Sequence, residues 1–159
     1  MRMHLATRVA LAICIAMTLS ACKPSSPPPA ASSSNAQAPA IDELMIEDVA
    51  VGAGEPIAAR QTAVVHYTGW LYEPSTPDHK GTKFDSSRDK GRPFRFKVGA
   101  GNVIKGWDEG VLGMTVGGRR QLIVPARLGY GDAGAGGVIP PGAALLFDVE
   151  LLAIEPGQS

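Results

Sequence analysis

Apolar and polar residues alternate with a period of two over several short stretches of this chain, the pattern of strands with one buried face. From Thr62 to Trp70, Ala63, Val65 and Tyr67 fall on one side and Val64, His66 and Thr68 on the other. Phe94, Phe96 and Val98 alternate with Arg95 and Lys97, and Leu145, Phe147, Val149 and Leu151 sandwich Asp148 and Glu150. Leu44 to Val49 and Arg120 to Val124 add two more candidate strands. One stretch has a different period. Val103, Trp107 and Val111 recur every fourth residue, which predicts a short helix from Ile104 to about Leu112. Gly106 and Gly110 weaken that helix by about 1 kcal/mol each relative to alanine, so packing onto a sheet has to hold it. The expected fold is therefore α+β, an antiparallel sheet with one short α-helix on its concave face.

Ahead of this domain the pattern changes twice. Arg2 and Arg8 precede an apolar run from Val9 to Leu19, shorter than the roughly 20 residues that span a bilayer, which reads as an export leader. It ends in Leu19-Ser20-Ala21-Cys22, similar to the lipobox of bacterial lipoproteins, in which the cysteine is lipidated. Residues 1–21 are then a removed signal peptide, and 22–40 a lipidated Cys22 with a Pro/Ser/Ala tether too poor in apolar surface to fold. Residues 41–159 form the domain. Extended at about 3.3 Å per residue, Pro24 to Ala40 reaches at most roughly 55 Å. Lys23, where aspartate would be the usual inner-membrane retention mark, favours an outer-membrane site facing the periplasm.

Composition narrows the chemistry. The formal charge is zero over 159 residues, and loss of Arg2 and Arg8 leaves a small acidic excess, so nucleic acid is not an expected partner. Membrane attachment rests on lipid at Cys22. Cys14 lies in the leader, so no disulfide is expected in the domain. Gly52-Ala53-Gly54 and Gly99-Ala100-Gly101 each lack the third glycine of a dinucleotide loop, with Ile57 and Ile104 in its place. His66 and His79 have no third ligand at useful spacing, so neither metal nor cofactor is expected. Ser86 and Ser87 have no placed base for nucleophilic work.

What remains is aromatic. Tyr67, Phe84, Trp107, Tyr130 and Phe147 stand singly in separate motifs and Phe94 and Phe96 share one, as expected for a core or a ring-lined pocket. Their surroundings are Val64-Val65-His66-Tyr67-Thr68-Gly69, Lys83-Phe84-Asp85-Ser86-Ser87, Pro93-Phe94-Arg95-Phe96, Val103-Ile104-Lys105-Gly106-Trp107-Asp108-Glu109-Gly110-Val111 and Gly129-Tyr130-Gly131, followed by Val138-Ile139-Pro140-Pro141-Gly142 leading to Phe147. Over roughly residues 44 to 154 the chain resembles the FKBP-type peptidyl-prolyl cis-trans isomerases. The resemblance implies a five- or six-stranded antiparallel half-barrel sheet wrapped around the helix. It further implies a substrate pocket of Tyr67, Phe84, Asp85, Phe94, Val103, Ile104, Trp107, Tyr130, Ile139 and Phe147, with Trp107 as floor and Val138 near the rim. Tyr130 and the Ile139 backbone N–H would donate to substrate carbonyls, and Asp85 would support the site, with Tyr67 as a partner. Phe96 is expected in the core instead.

The implied substrates are proline-containing segments of exported proteins, the implied inhibitors are the family's macrolides, and the implied function is assistance to folding. A module that binds proline segments with little turnover is the competing reading. A monomer is expected, because the Pro-rich tether provides no helical dimerisation arm. Two departures from the family stand out. The segment Leu71 to Lys83, with Pro74 and Pro77, reads as a lengthened loop, and Gly134-Ala135-Gly136-Gly137 predicts a looser flap with less surface over the pocket.

Overall fold

The computed structural model describes residues 41–156; the expected leader, Cys22 and the expected tether lie outside the described residues. Six strands, β1 (Met45–Ala50), β2 (Thr62–Tyr72), β3 (Lys80–Ser86), β4 (Phe94–Lys97), β5 (Arg119–Val124) and β6 (Leu145–Glu155), make one antiparallel sheet. The helix α1 (Lys105–Gly110) lies in the chain between β4 and β5. The sheet runs β1-β5-β6-β2-β3, and β4 also pairs with β2. This is the expected α+β architecture.

The two longest strands, β2 and β6, form the centre. Ala63 and Val65 on β2 and Leu145, Phe147, Val149 and Leu151 on β6 all enter the core, as their alternation predicts. A bulge then resets the phase. Val64 pairs with Ala153 but Val65 pairs with Leu151, so Leu152 is extra, and Leu151 and Ile154, three residues apart, both reach the core.

On its other edge β2 is paired in two pieces: Thr62 to Val65 with β4, and Thr68 to Tyr72 with β3. Between them Ser87 stands in for a strand residue. Its N–H donates to the Tyr67 carbonyl at 3.0 Å, and its Oγ accepts the Tyr67 N–H at 2.8 Å. The expected loop from Leu71 to Lys83 is in fact mostly hairpin. β2 continues to Tyr72, β3 starts at Lys80, and only Glu73 to His79 turns, closed by Glu73 N–H to His79 O at 2.9 Å. Pro74 and Pro77 both lie within that turn, which is why the prolines masked the flanking strands.

The helix is shorter than its period suggests, starting after the extended Ile104 and ending at Gly110. Its glycines explain how it packs. A Cβ on Gly106 would lie 2.4 Å from Val124, and one on Gly110 would lie 2.8 Å from Leu122, so the helix backbone sits directly on β5. Arg120, on the same face of β5 and only 9% exposed, finishes the helix. Its guanidinium donates to the carbonyls of Gly110 at 2.8 Å and Leu112 at 2.9 Å, and to both oxygens of Asp48 at 2.6 and 3.0 Å. Positive charge there meets the carbonyls a helix end leaves open. The hydrogen bond from Arg120 is the main cause holding the Asp48 carboxyl below its usual range, against the opposing effect of burial.

Candidate active site

Between α1 and the concave side of the sheet lies a cleft of about 180 Å³, lined by Tyr67, Phe84, Asp85, Phe94, Asn102, Val103, Ile104, Trp107, Tyr130 and Phe147. Three other grooves are larger, about 300, 630 and 420 Å³, but none gathers a cluster of aromatic rings. The first is a charged trough on the other face of the sheet, where Lys80 pairs with Asp148 and Arg88 with Glu150.

Trp107 is the floor, 3% exposed. Around it stand Tyr67, Phe147, Phe96 and Phe94, with ring centroids 4.9, 5.3, 5.4 and 6.0 Å away. The first two meet it nearly edge-on, at 87° and 86°. Phe96, predicted for the core, is there, stacked on Phe94 at 5.8 Å. The polar tips of the buried rings differ in their partners. The Tyr67 hydroxyl has a partner, but the buried Trp107 Nε1–H has none among the described residues.

Asp85 is the one carboxylate in the cleft, and it is fully engaged. Its Oδ2 accepts the Tyr67 hydroxyl at 2.6 Å, while Oδ1 accepts the Ser86 N–H at 2.8 Å and Lys90 Nζ at 2.6 Å. Burial pushes its pKa up, but the hydrogen bonds from Lys90 and Tyr67 outweigh this and hold the carboxyl below its usual range. Burial, then the bond to Asp85, pushes the Tyr67 phenol well above its usual range. At neutral pH the acid is ionised and the phenol protonated, so neither group is poised to carry a proton.

Tyr130 precedes a 3-10 turn, Gly131–Ala133, and is 40% exposed at the mouth of the cleft. Two predicted residues do not line it. Val138 is 57% exposed on the neighbouring hairpin, and Ile139 is packed into the core at 6% exposure. That hairpin is closed by backbone bonds of its own. Ala135 and Ile139 exchange N–H to carbonyl bonds, both 3.0 Å, and Gly134, Gly136 and Gly137 supply the positive φ angles of 61°, 58° and 70° that the turn requires. The Ile139 N–H thus already donates to Ala135. Asn102 is the lining residue the sequence did not mark, because a polar residue between Gly101 and Val103 carries no periodic or compositional signal.

Ring surface, an indole floor and no mobile proton define a non-covalent site suited to an apolar segment. Comparison with known proteins specifies it. A sequence model of the FKBP-type peptidyl-prolyl cis-trans isomerases matches residues 54–152. An FK506-binding protein of Neisseria meningitidis serogroup A is 51% identical over 70% of this chain and 95% of its own length. FK506-binding protein 2 of Dictyostelium discoideum is 58% identical over 57% of this chain and 62% of its own length. The crystal structures of FkpA from Escherichia coli and of AtFKBP13 superpose with TM-scores of 0.63 and 0.61, each at 38% identity over 72% of this chain, covering 49% and 94% of those chains. The chain belongs to the FKBP family of peptidyl-prolyl cis-trans isomerases.

Proposed function

We propose that the cleft binds an Xaa-Pro segment with the proline ring against Trp107 and rotates its peptide bond, acting on exported proteins from a lipid anchor at Cys22. The single observation that carries the site assignment is the indole floor enclosed by Tyr67, Phe94 and Phe147 in a cleft with no free base. Rotation about a peptide bond crosses about 18 to 20 kcal/mol and breaks no covalent bond, so it needs no nucleophile.

Resonance makes the planar amide polar, and the twisted amide loses that resonance. A dry aromatic surface therefore favours the twisted form relative to the planar one, and placed donors stabilise the separated carbonyl. Tyr130 supplies one such donor at the mouth. A substrate carbonyl reaching the Ile139 N–H competes with its bond to Ala135. Asp85 acts through Tyr67, holding that ring upright beside the floor. A macrolide ligand of the family competes for the same cleft. The leader, the Leu19-Ser20-Ala21-Cys22 motif and Lys23 support export, lipidation and an outer-membrane site facing the periplasm.

The test is refolding of a proline-limited protein by the soluble chain from Ala40 onward. Acceleration over background is expected, and Tyr130→Ala and Asp85→Ala should reduce it. A wild-type rate equal to background would refute turnover and leave a binding module.

A further inference from the structure

Three consecutive residues, Asn102, Val103 and Ile104, form one wall of the cleft. Both ends of that wall are tied to the same residue on α1. Asp108 Oδ1 accepts the Gly99 N–H and Oδ2 accepts the Gly101 N–H, each at 2.9 Å. The Asp108 backbone N–H donates to the Ile104 carbonyl at 3.3 Å, and that of its neighbour Trp107 donates to the same oxygen at 2.9 Å. Among the described residues no other hydrogen bond reaches Gly99 through Val103. Gly99 and Gly101 have φ angles of 72° and 71°, a backbone form that presents both N–H groups to one carboxylate.

We propose that Asp108 is a positioning residue for substrate binding: by clamping the loop ahead of Asn102 to the helix that carries Trp107, it fixes the spacing between the wall of the cleft and its floor. This rests on the cleft being the proline site. Charge-assisted bonds from two backbone N–H groups to one carboxylate are strong and directional, and aspartate has the reach for both. Without them the wall is held only at Val98 on one side and Ile104 on the other. Its apolar side chains then close less well on a bound proline, which weakens binding more than it alters the bond rotation itself.

The experiment measures KM, kcat and Kd for a short apolar-Xaa-Pro-Phe peptide with the full chain in detergent, for wild type, Asp108→Asn, Asp108→Glu and Asp108→Ala. Asp108→Ala should raise Kd and KM roughly tenfold with kcat within about twofold, as loosened positioning predicts. Asp108→Asn keeps one good acceptor and should fall between, as should Asp108→Glu, which keeps the charge but misplaces it. Amide exchange at Gly99 and Gly101 should be slow in wild type and fast in Asp108→Ala. If Asp108→Ala is too unstable to assay, the isosteric Asp108→Asn carries the test. Unchanged Kd and KM in a folded variant would overturn the proposal, as would fast exchange at both glycines in wild type. A wild-type chain that neither binds nor isomerises the peptide would instead refute the functional reading beneath it, and the proposal with it.

Discussion

Asp85 is the most heavily bonded side chain in the cleft, and the effect of its bonds is to make it inert. Its role is to hold Tyr67, so Tyr67→Phe should cost about 1 to 2 kcal/mol of stability, read from urea denaturation, because it leaves one Asp85 oxygen short of a donor. The depressed carboxyl pKa gives a pH dependence of known sign. The unfolded chain takes up the proton first, so the Asp85 contribution is complete above the ordinary carboxylate range near 4 and disappears as pH falls through the lower folded value. The stability difference between wild type and Asp85→Asn should therefore stay level above about pH 5 and shrink as pH falls below about 4. A difference that stays constant would mean the pair is not coupled to folding. Legibility at this scale follows motif strength. The Tyr67 to Asp85 bond is expected only through the family resemblance that their motifs carry, whereas Asn102 enters through backbone path alone, and the lack of a partner for Trp107 Nε1 among the described residues depends on side-chain packing that no spacing encodes.

The helix is an element built against its own propensity. Alanine at Gly106 would ordinarily stabilise a helix by about 1 kcal/mol. Here its Cβ would lie 2.4 Å from a Val124 methyl, so Gly106→Ala should instead destabilise by about 1 to 3 kcal/mol, the usual range for overpacking. Removing the obstacle in Gly106→Ala/Val124→Ala should give less than the sum of the two single losses, measured by thermal or urea unfolding in a double-mutant cycle. An additive result would show that the helix moves away instead. The sequence revealed the helix, its weakness and its need for a sheet, since those follow from period and glycine content. Its ends were less legible. They are set by the extended Ile104 and by Arg120, which reaches back to the last carbonyls from the following strand, β5. β3 escaped for a related reason: two prolines in a tight turn resemble a loop when the strands they connect are not in view.

For the whole molecule, the outline of strands, helix and aromatic cleft is readable because the core strands alternate over most of their length and the rings lie in distinct motifs. The exchange of partners along β2 was not, since pairing is settled between distant segments. The proposed tether and lipid anchor belong to this scale as well. Replacing Cys22 with serine should move the protein from the membrane pellet to the soluble fraction while leaving the isomerase rate of the domain unchanged, because the catalytic residues all lie beyond Ile41. Protein still found in the pellet would refute lipid attachment at Cys22.

The change of partner along β2 also has an engineering consequence. Where β3 hands over to β4, Ser87 satisfies the ladder by itself, and Arg88 to Pro93 run exposed outside it. That crossing is a splice, a place where the chain can be lengthened without unpairing a strand. A guest peptide set in after Gly91, beyond the lysine that holds Asp85, would be carried at the rim of the active cleft. The domain could thus present a tethered segment to its own catalytic site.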